Sequence, residues 1–382
     1  MIKLKEKGRH WSTWQNQQRL EELLKVGKEY VETVAHDAWN VQEVYDNYSL
    51  LVYCAMCSDG RVNLAKCGEC FEGEVFPYRS IGGIFHYGES AFKKEFNEAV
   101  AYAKELNKTL LFFITFHYDD DPEKCCAGWR NNTEKAKKNA FRLRDQIRRV
   151  FAGGVCPIVV GIKTSSEELT IFDEIPERFI SCSELIGFQD AVIYEKIQLV
   201  MGRFIPQNVK KYLLRLIKGN ISHIEKCRKT QDKISVHLHH HEIAICFGKM
   251  FQWFPPHRGI IINPSLNSLK EILQAVDIQA RNEEMGRVKN GCLLVVCTPY
   301  RDVSKIPAAT EQTRDLTHFA LKHIYSHRPD FHERLRVLSV IINIETKELT
   351  LVDMDPVTLE FKPLEPVAYD EVRPGEQIVF VN

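Results

Sequence analysis

Short, almost wholly apolar runs alternate along this chain with longer stretches in which apolar residues recur every three or four positions. Runs of the first kind predict strands over 49–56, 110–117 and 157–164, buried on both faces because no polar residue alternates with the apolar ones. Between them, Phe92, Phe96, Val100, Ala103 and Leu106 line one side of a helix over 90–106, with Ser90 as its cap. Ala136, Ala140, Phe141, Leu143, Ile147 and Val150 line one side of a second helix over 133–151. Strand-helix-strand alternation predicts an α/β fold with largely parallel sheets and flanking helices. Residues 57–89 read as a Cys- and Gly-rich loop, and 201–226 as a helical bridge.

The pattern repeats at a spacing of about 180 residues, which predicts an internal duplication. "IVVGIKTSSEELTIFD" (158–173) matches "LSVIINIETKELTLVD" (338–353), each reading strand, turn, strand. "LLFFITFHYDDDPEK" (110–124) matches "LLVVCTPYRDVSK" (293–305), and, more weakly, "LLVYCAMC" (50–57) matches "EIAICFGK" (242–249). The expected organisation is a helical N-terminal arm (1–47), a first domain (48–205) and a second copy (206–382). Lys249, Met250 and Phe251 then stand where the first copy has polar residues, and Pro299 stands where it has His117.

Charge excludes one class of partner. The 51 basic and 51 acidic side chains cancel, so no basic footprint points to nucleic acid. No apolar run has the length of a membrane span, and "MIKLKEKGRHWSTW" lacks the apolar core of a secretory signal. The 12 cysteines sit in apolar strands or short clusters, a reduced, metal-binding usage that fits a cytoplasmic protein.

Candidate chemistry gathers where the strands end. The first is followed by Cys57-Ser58-Asp59-Gly60-Arg61, whose thiol, carboxylate and guanidinium share a face if the chain stays extended. A later strand ends at His117 in "TFHYDDDPEKCCAGW", where Cys126 precedes small residues that permit close backbone approach. Ligands of open α/β sheets bind beyond the carboxyl ends of strands. Cys57, His117 and Cys126 make a zinc site with a fourth position open, with Cys125 as rival to Cys126. A competing reading pairs Cys54 and Cys57 with Cys67 and Cys70 as a four-thiolate ribbon, with Cys67 and Cys70 otherwise buried small residues. "HLHHH" (237–241) reads as a solvated lead-in to a strand, and "YRSIGGIF" (78–85) as a tight turn walling the site, with Arg79 not assigned to catalysis.

In "CSDGR", "YRSIGGIF", "FHYDDDPEKCCAG" and "GIKTSSEELTIFD" the chain resembles the carboxysomal shell (epsilon) carbonic anhydrases, a diverged β subclass. The resemblance implies two fused β-carbonic-anhydrase-like domains, of which only the first keeps its metal site. It also implies zinc on Cys57, His117 and Cys126, with Asp59 accepting a hydrogen bond from zinc-bound water and Arg61 fixing Asp59. Carbon dioxide and bicarbonate are the implied substrates, and a homodimer the implied assembly. An arm of only about 45 residues differs from the large N-terminal region of the shell enzymes, and so does not support association with a carboxysome shell or Rubisco. The readings from other classes are a non-catalytic zinc-binding scaffold and a zinc hydrolase acting on a larger substrate.

Overall fold

The computed structural model describes residue 33 and residues 36–88, 90–151, 153–231, 244–246, 259–264, 269–284, 292–343 and 349–352. Most of the expected arm (1–47), the "HLHHH" segment and residues 249–251 lie outside the described residues. Helix α1 (36–48) leads into a parallel sheet of strands β1 (Leu50–Cys57), β2 (Val75–Ser80), β3 (Thr109–Tyr118) and β4 (Val155–Lys163). Strands β5 (Glu168–Phe172) and β6 (Phe179–Ser181) continue it antiparallel, in the spatial order β2-β1-β3-β4-β5-β6. Every residue of β1 is buried, as a central parallel strand covered on both faces requires.

Helices α2 (Leu64–Cys67), α3 (Ser90–Glu105), α4 (Thr133–Val150), α5 (Asp190–Val200) and α6 (Gln207–Gln231) cover this sheet. Phe112 of β3 meets Phe96 of α3, while its neighbour Phe113 meets Tyr212 of α6. Successive strand residues point to opposite faces, so both faces carry helices. Helix α4 starts where the Asn132 side chain accepts the Lys135 amide and ends on Arg148 and Arg149, the charge order that suits a helix dipole. Its buried side is Ala136, Ala140, Phe141, Leu143 and Ile147. Val150, the last residue of α4, and Leu106, just past the end of α3, are exposed, so the expected apolar sides stop short of both.

A second sheet contains β7 (Ala244–Cys246), β8 (Gly259–Ile262), β9 (Cys292–Tyr300), β10 (Leu335–Asn343) and β11 (Leu349–Leu351), ordered β11-β10-β9-β8-β7. Helices α7 (Leu269–Glu284), α8 (Ile306–His327) and α9 (Phe331–Arg334) accompany it. The two terminal hairpins share a register. Val160 faces Ile171 and Gly161 faces Thr170 in the first, as Val340 faces Leu351 and Ile341 faces Thr350 in the second. His117 lies opposite Ile162, and Pro299 opposite Ile342, so Pro299 holds the position in its sheet that His117 holds in the first.

Two expectations need correction. Residues 75–80 form β2, an edge strand, rather than loop; Pro77 is tolerated there because an edge residue can turn its missing donor away from the neighbour. The match of 50–57 to 242–249 does not carry into space: β1 lies between β2 and β3, but β7 is an edge strand and β8 takes the place beside β9. Strands buried on both faces are near-continuous apolar runs, which match one another without fixing register or order.

Among the described residues the kinked turn Ile81–Gly83 after β2, with Gly82 at φ 68°, reaches the second half. Ile81 packs into the second core with Ile260, Ile262 and Ile272, and its amide donates to Glu271 Oε1 at 3.1 Å. Ile81→Ala should therefore cost about 2–4 kcal/mol in urea unfolding. An unchanged midpoint would mean that this side chain does not tie the halves together.

Candidate metal centre

Cys57 closes β1, His117 is the penultimate residue of β3, and these strands are neighbours in the sheet. Their parallel pairing brings a thiol and an imidazole to one sheet end. The chain then leaves β3 through a loop fixed by Asp119, which accepts from the Ser165 amide at 2.7 Å and the Thr164 hydroxyl at 2.9 Å. The loop returns at Cys126, which opens the 3-10 turn Ala127–Trp129. Close approach explains the small residues here: a Cβ on Gly128 would lie 2.8 Å from the Gly82 nitrogen. Trp129 Nε1 donates to the Gly82 carbonyl at 2.7 Å and fastens the two turns together.

The Cys57, His117 and Cys126 ligand atoms all lie within 4.8 Å of one another, and the two sulfurs are 3.8 Å apart. All three residues are buried. Cys125 turns away: its sulfur accepts from the Thr133 hydroxyl at 3.5 Å and lies against the Asp119 carbonyl. The cysteines of the ribbon reading do not converge, since among the described residues Cys54 and Cys70 belong to no cluster of ligand atoms.

Asp59 and Arg61 meet by a different route from strand alternation. The chain bends after Cys57, and the Asp59 carboxylate accepts the backbone amide of Arg61 at 2.9 Å, the local turn that aspartate favours. Arg61 Nε and its terminal nitrogen then bind the same carboxylate at 2.9 and 2.6 Å. Asp59 is fully buried. Burial pushes its pKa up, but the Arg61 guanidinium, the His117 imidazole and the hydrogen bonds from Arg61 outweigh it, and the carboxyl stays below its usual range. Its Oδ2 lies 3.9 Å from His117 Nε2. With its oxygens engaged by Arg61, Asp59 borders the metal-ligand set without joining it.

Arg79, in β2, organises the bend. Its guanidinium donates to the carbonyls of Cys57 at 2.9 Å, Asp59 at 3.2 Å and Val62 at 2.8 Å, and the residue is only 3 % exposed. "YRSIGGIF" is thus more than a wall, and Arg79 is the positioning residue that sequence left unassigned. Its one early signal was an arginine among apolar neighbours.

The donor set fits zinc. Both nitrogens of the buried His117 ring lack a hydrogen-bond partner, a cost of about 1–3 kcal/mol that a cation between ring and sulfurs would remove. The Cys126 sulfur, and behind it the His117 imidazole, hold the Cys57 thiol well below its usual range against the opposing effect of burial. Two sulfurs and one imidazole are three donors, so a zinc ion held by them would have one ligand position open.

No protein-family model matches this chain, and no curated protein is similar to it in sequence.

Arg79→Ala should strand the carbonyls of Cys57 and Val62, while that of Asp59 keeps the Val62 amide at 3.0 Å, and cost on the order of 3 kcal/mol in chemical unfolding. Zinc retention on a size-exclusion column should fall with it, because the Cys57 loop loses its anchor. Wild-type stability and zinc content in this variant would remove Arg79 from the site.

Proposed function

We propose that the chain is a zinc-dependent carbonic anhydrase, hydrating carbon dioxide reversibly to bicarbonate in the first sheet. The observation that carries this reading is the buried Cys57-His117-Cys126 cluster with the Asp59 carboxylate at its border, itself locked by Arg61. Cys57, His117 and Cys126 would hold the ion. Zinc supplies a hydroxide nucleophile near neutral pH by lowering the pKa of bound water from 15.7 to roughly 7.

The chain's own residues supply the rest. Asp59 cannot donate a hydrogen bond while ionised, so it accepts one, and thereby fixes how the attacking oxygen points its lone pairs. Arg61 keeps Asp59 charged and stationary, so no reorganisation is needed when carbon dioxide arrives. Burial of Cys57, Asp59, His117 and Cys126 favours a small uncharged substrate over the peptide or ester of a zinc hydrolase. The shared hairpin register supports a duplicated origin, and Pro299 in the place of His117 supports a second copy without this chemistry.

Asp59→Asn should keep zinc bound and lower the hydration rate per zinc by roughly 100-fold, since an amide lacks the charge that orients the donor. Stopped-flow carbon dioxide hydration under reducing, zinc-replete conditions reads this directly. An unchanged rate would refute the mechanism, and an inactive wild type with full zinc would favour the scaffold reading.

A further inference from the structure

A separate cluster sits where α2, the β4–β5 turn and α6 meet. The ligand atoms of Cys67, Glu167 and His223 lie within 4.8 Å of one another. Cys227, one turn beyond His223 on the same side of α6, stands outside this group of three but brings its sulfur to 3.5 Å from His223 Nε2. The same imidazole nitrogen is bonded to Glu167 Oε2, and Lys66 reaches the other oxygen of Glu167 at 2.7 Å. No residue of this cluster takes part in the Cys57 centre.

The backbone around it is built for fixed positions. Asn220, fully buried and three residues before His223, donates to the carbonyls of Cys67 and Glu167 at 2.9 Å each. Its own side-chain oxygen accepts the Leu169 amide at 2.9 Å. One asparagine thus ties together the three segments that carry the ligands, in the way outer-shell partners orient a metal set. The helices can meet so closely because Gly219 lies against Gly68, where a Cβ would stand 1.9 Å from the Gly68 oxygen. Glu167 also adopts a left-handed φ of 55°, a place where glycine or asparagine is easier. An ion pair with Lys66 and His223 accounts for the carboxylate, yet it leaves two thiols facing that pair without a reason.

We propose that Cys67, Glu167, His223 and Cys227 form a second, structural site for a divalent cation of the zinc class. Two sulfurs, one imidazole and one carboxylate are a closed tetrahedral set, unlike the open first centre. Two thiolates and a carboxylate exceed the ion's charge by one, and Lys66 beside Glu167 offsets the excess. Bound there, the ion would clamp α6 to the first sheet, so its binding free energy would add to folding stability.

The experiment uses the full-length reduced chain carrying Cys57→Ser and Cys126→Ser, loaded with zinc and freed of excess by gel filtration. Metal analysis should find one zinc ion per chain, held whether or not the first centre is real. Adding Cys67→Ser and His223→Gln should remove it, with circular dichroism unchanged. Cobalt in the same background should give a thiolate-to-metal absorption band that weakens in Cys227→Ser, a milder change at a half-buried position. Absence of zinc from the Cys57→Ser/Cys126→Ser chain would overturn the proposal. So would zinc that survives Cys67→Ser/His223→Gln, or a cobalt band indifferent to Cys227→Ser. If the serine and glutamine changes unfold the chain, the cobalt arm alone decides.

Discussion

Three carbonyl oxygens of the Cys57–Val62 bend turn inward onto the guanidinium of Arg79, and the geometry of the Cys57-His117-Cys126 cluster depends on that gathering. A strand that ends in a bend beneath other chain must find partners for its backbone, because unpaired buried carbonyls are costly. Arg79 provides them from the adjacent strand β2, whose residue Ser80 also accepts the Ser58 amide at 2.8 Å. The bend so held aims the Cys57 sulfur at Cys126 and lets Asp59 close its turn on Arg61. A lysine could not serve three carbonyls from one planar, always charged group.

The same β2 links the centre to the second sheet. One residue past Arg79, after Ser80, the chain makes the Ile81–Gly83 turn, whose one side receives Gly128 and Trp129 from the Cys126 loop. Its other side sends Ile81 into the second core and binds Glu271. The second half thus buttresses the turn against which the Cys126 loop is packed. A sheet that has Pro299 where the first has His117 still contributes, through packing, to the geometry of the first.

Much of this was legible in the sequence for a physical reason. Buried parallel strands are apolar without interruption, so Cys57, Asp59, Arg61 and His117 stood out where those runs ended. The small residues after Cys126 favoured it over Cys125, and the turn at Ala127 brings its sulfur, not that of Cys125, to Cys57. Arg79 was hidden because its partners are carbonyls about twenty residues away, which carry no side-chain signature. The order of β7 and β8 was hidden because apolar runs contain no register. The Cys67-Glu167-His223 cluster was hidden because sequence spacing cannot announce contacts across three distant elements.

On the proposed function, Cys57, His117 and Cys126 would hold one ion while Asp59 stays with Arg61. Crystals of the reduced, zinc-loaded chain, measured on both sides of the zinc absorption edge, test it most directly. An anomalous peak is expected about 2.3 Å from both sulfurs and about 2.0 Å from an imidazole nitrogen of His117, with Cys125 outside and the Asp59–Arg61 pair intact. A map without a peak at these three residues, or with Asp59 released from Arg61 and bound to the metal, would contradict it.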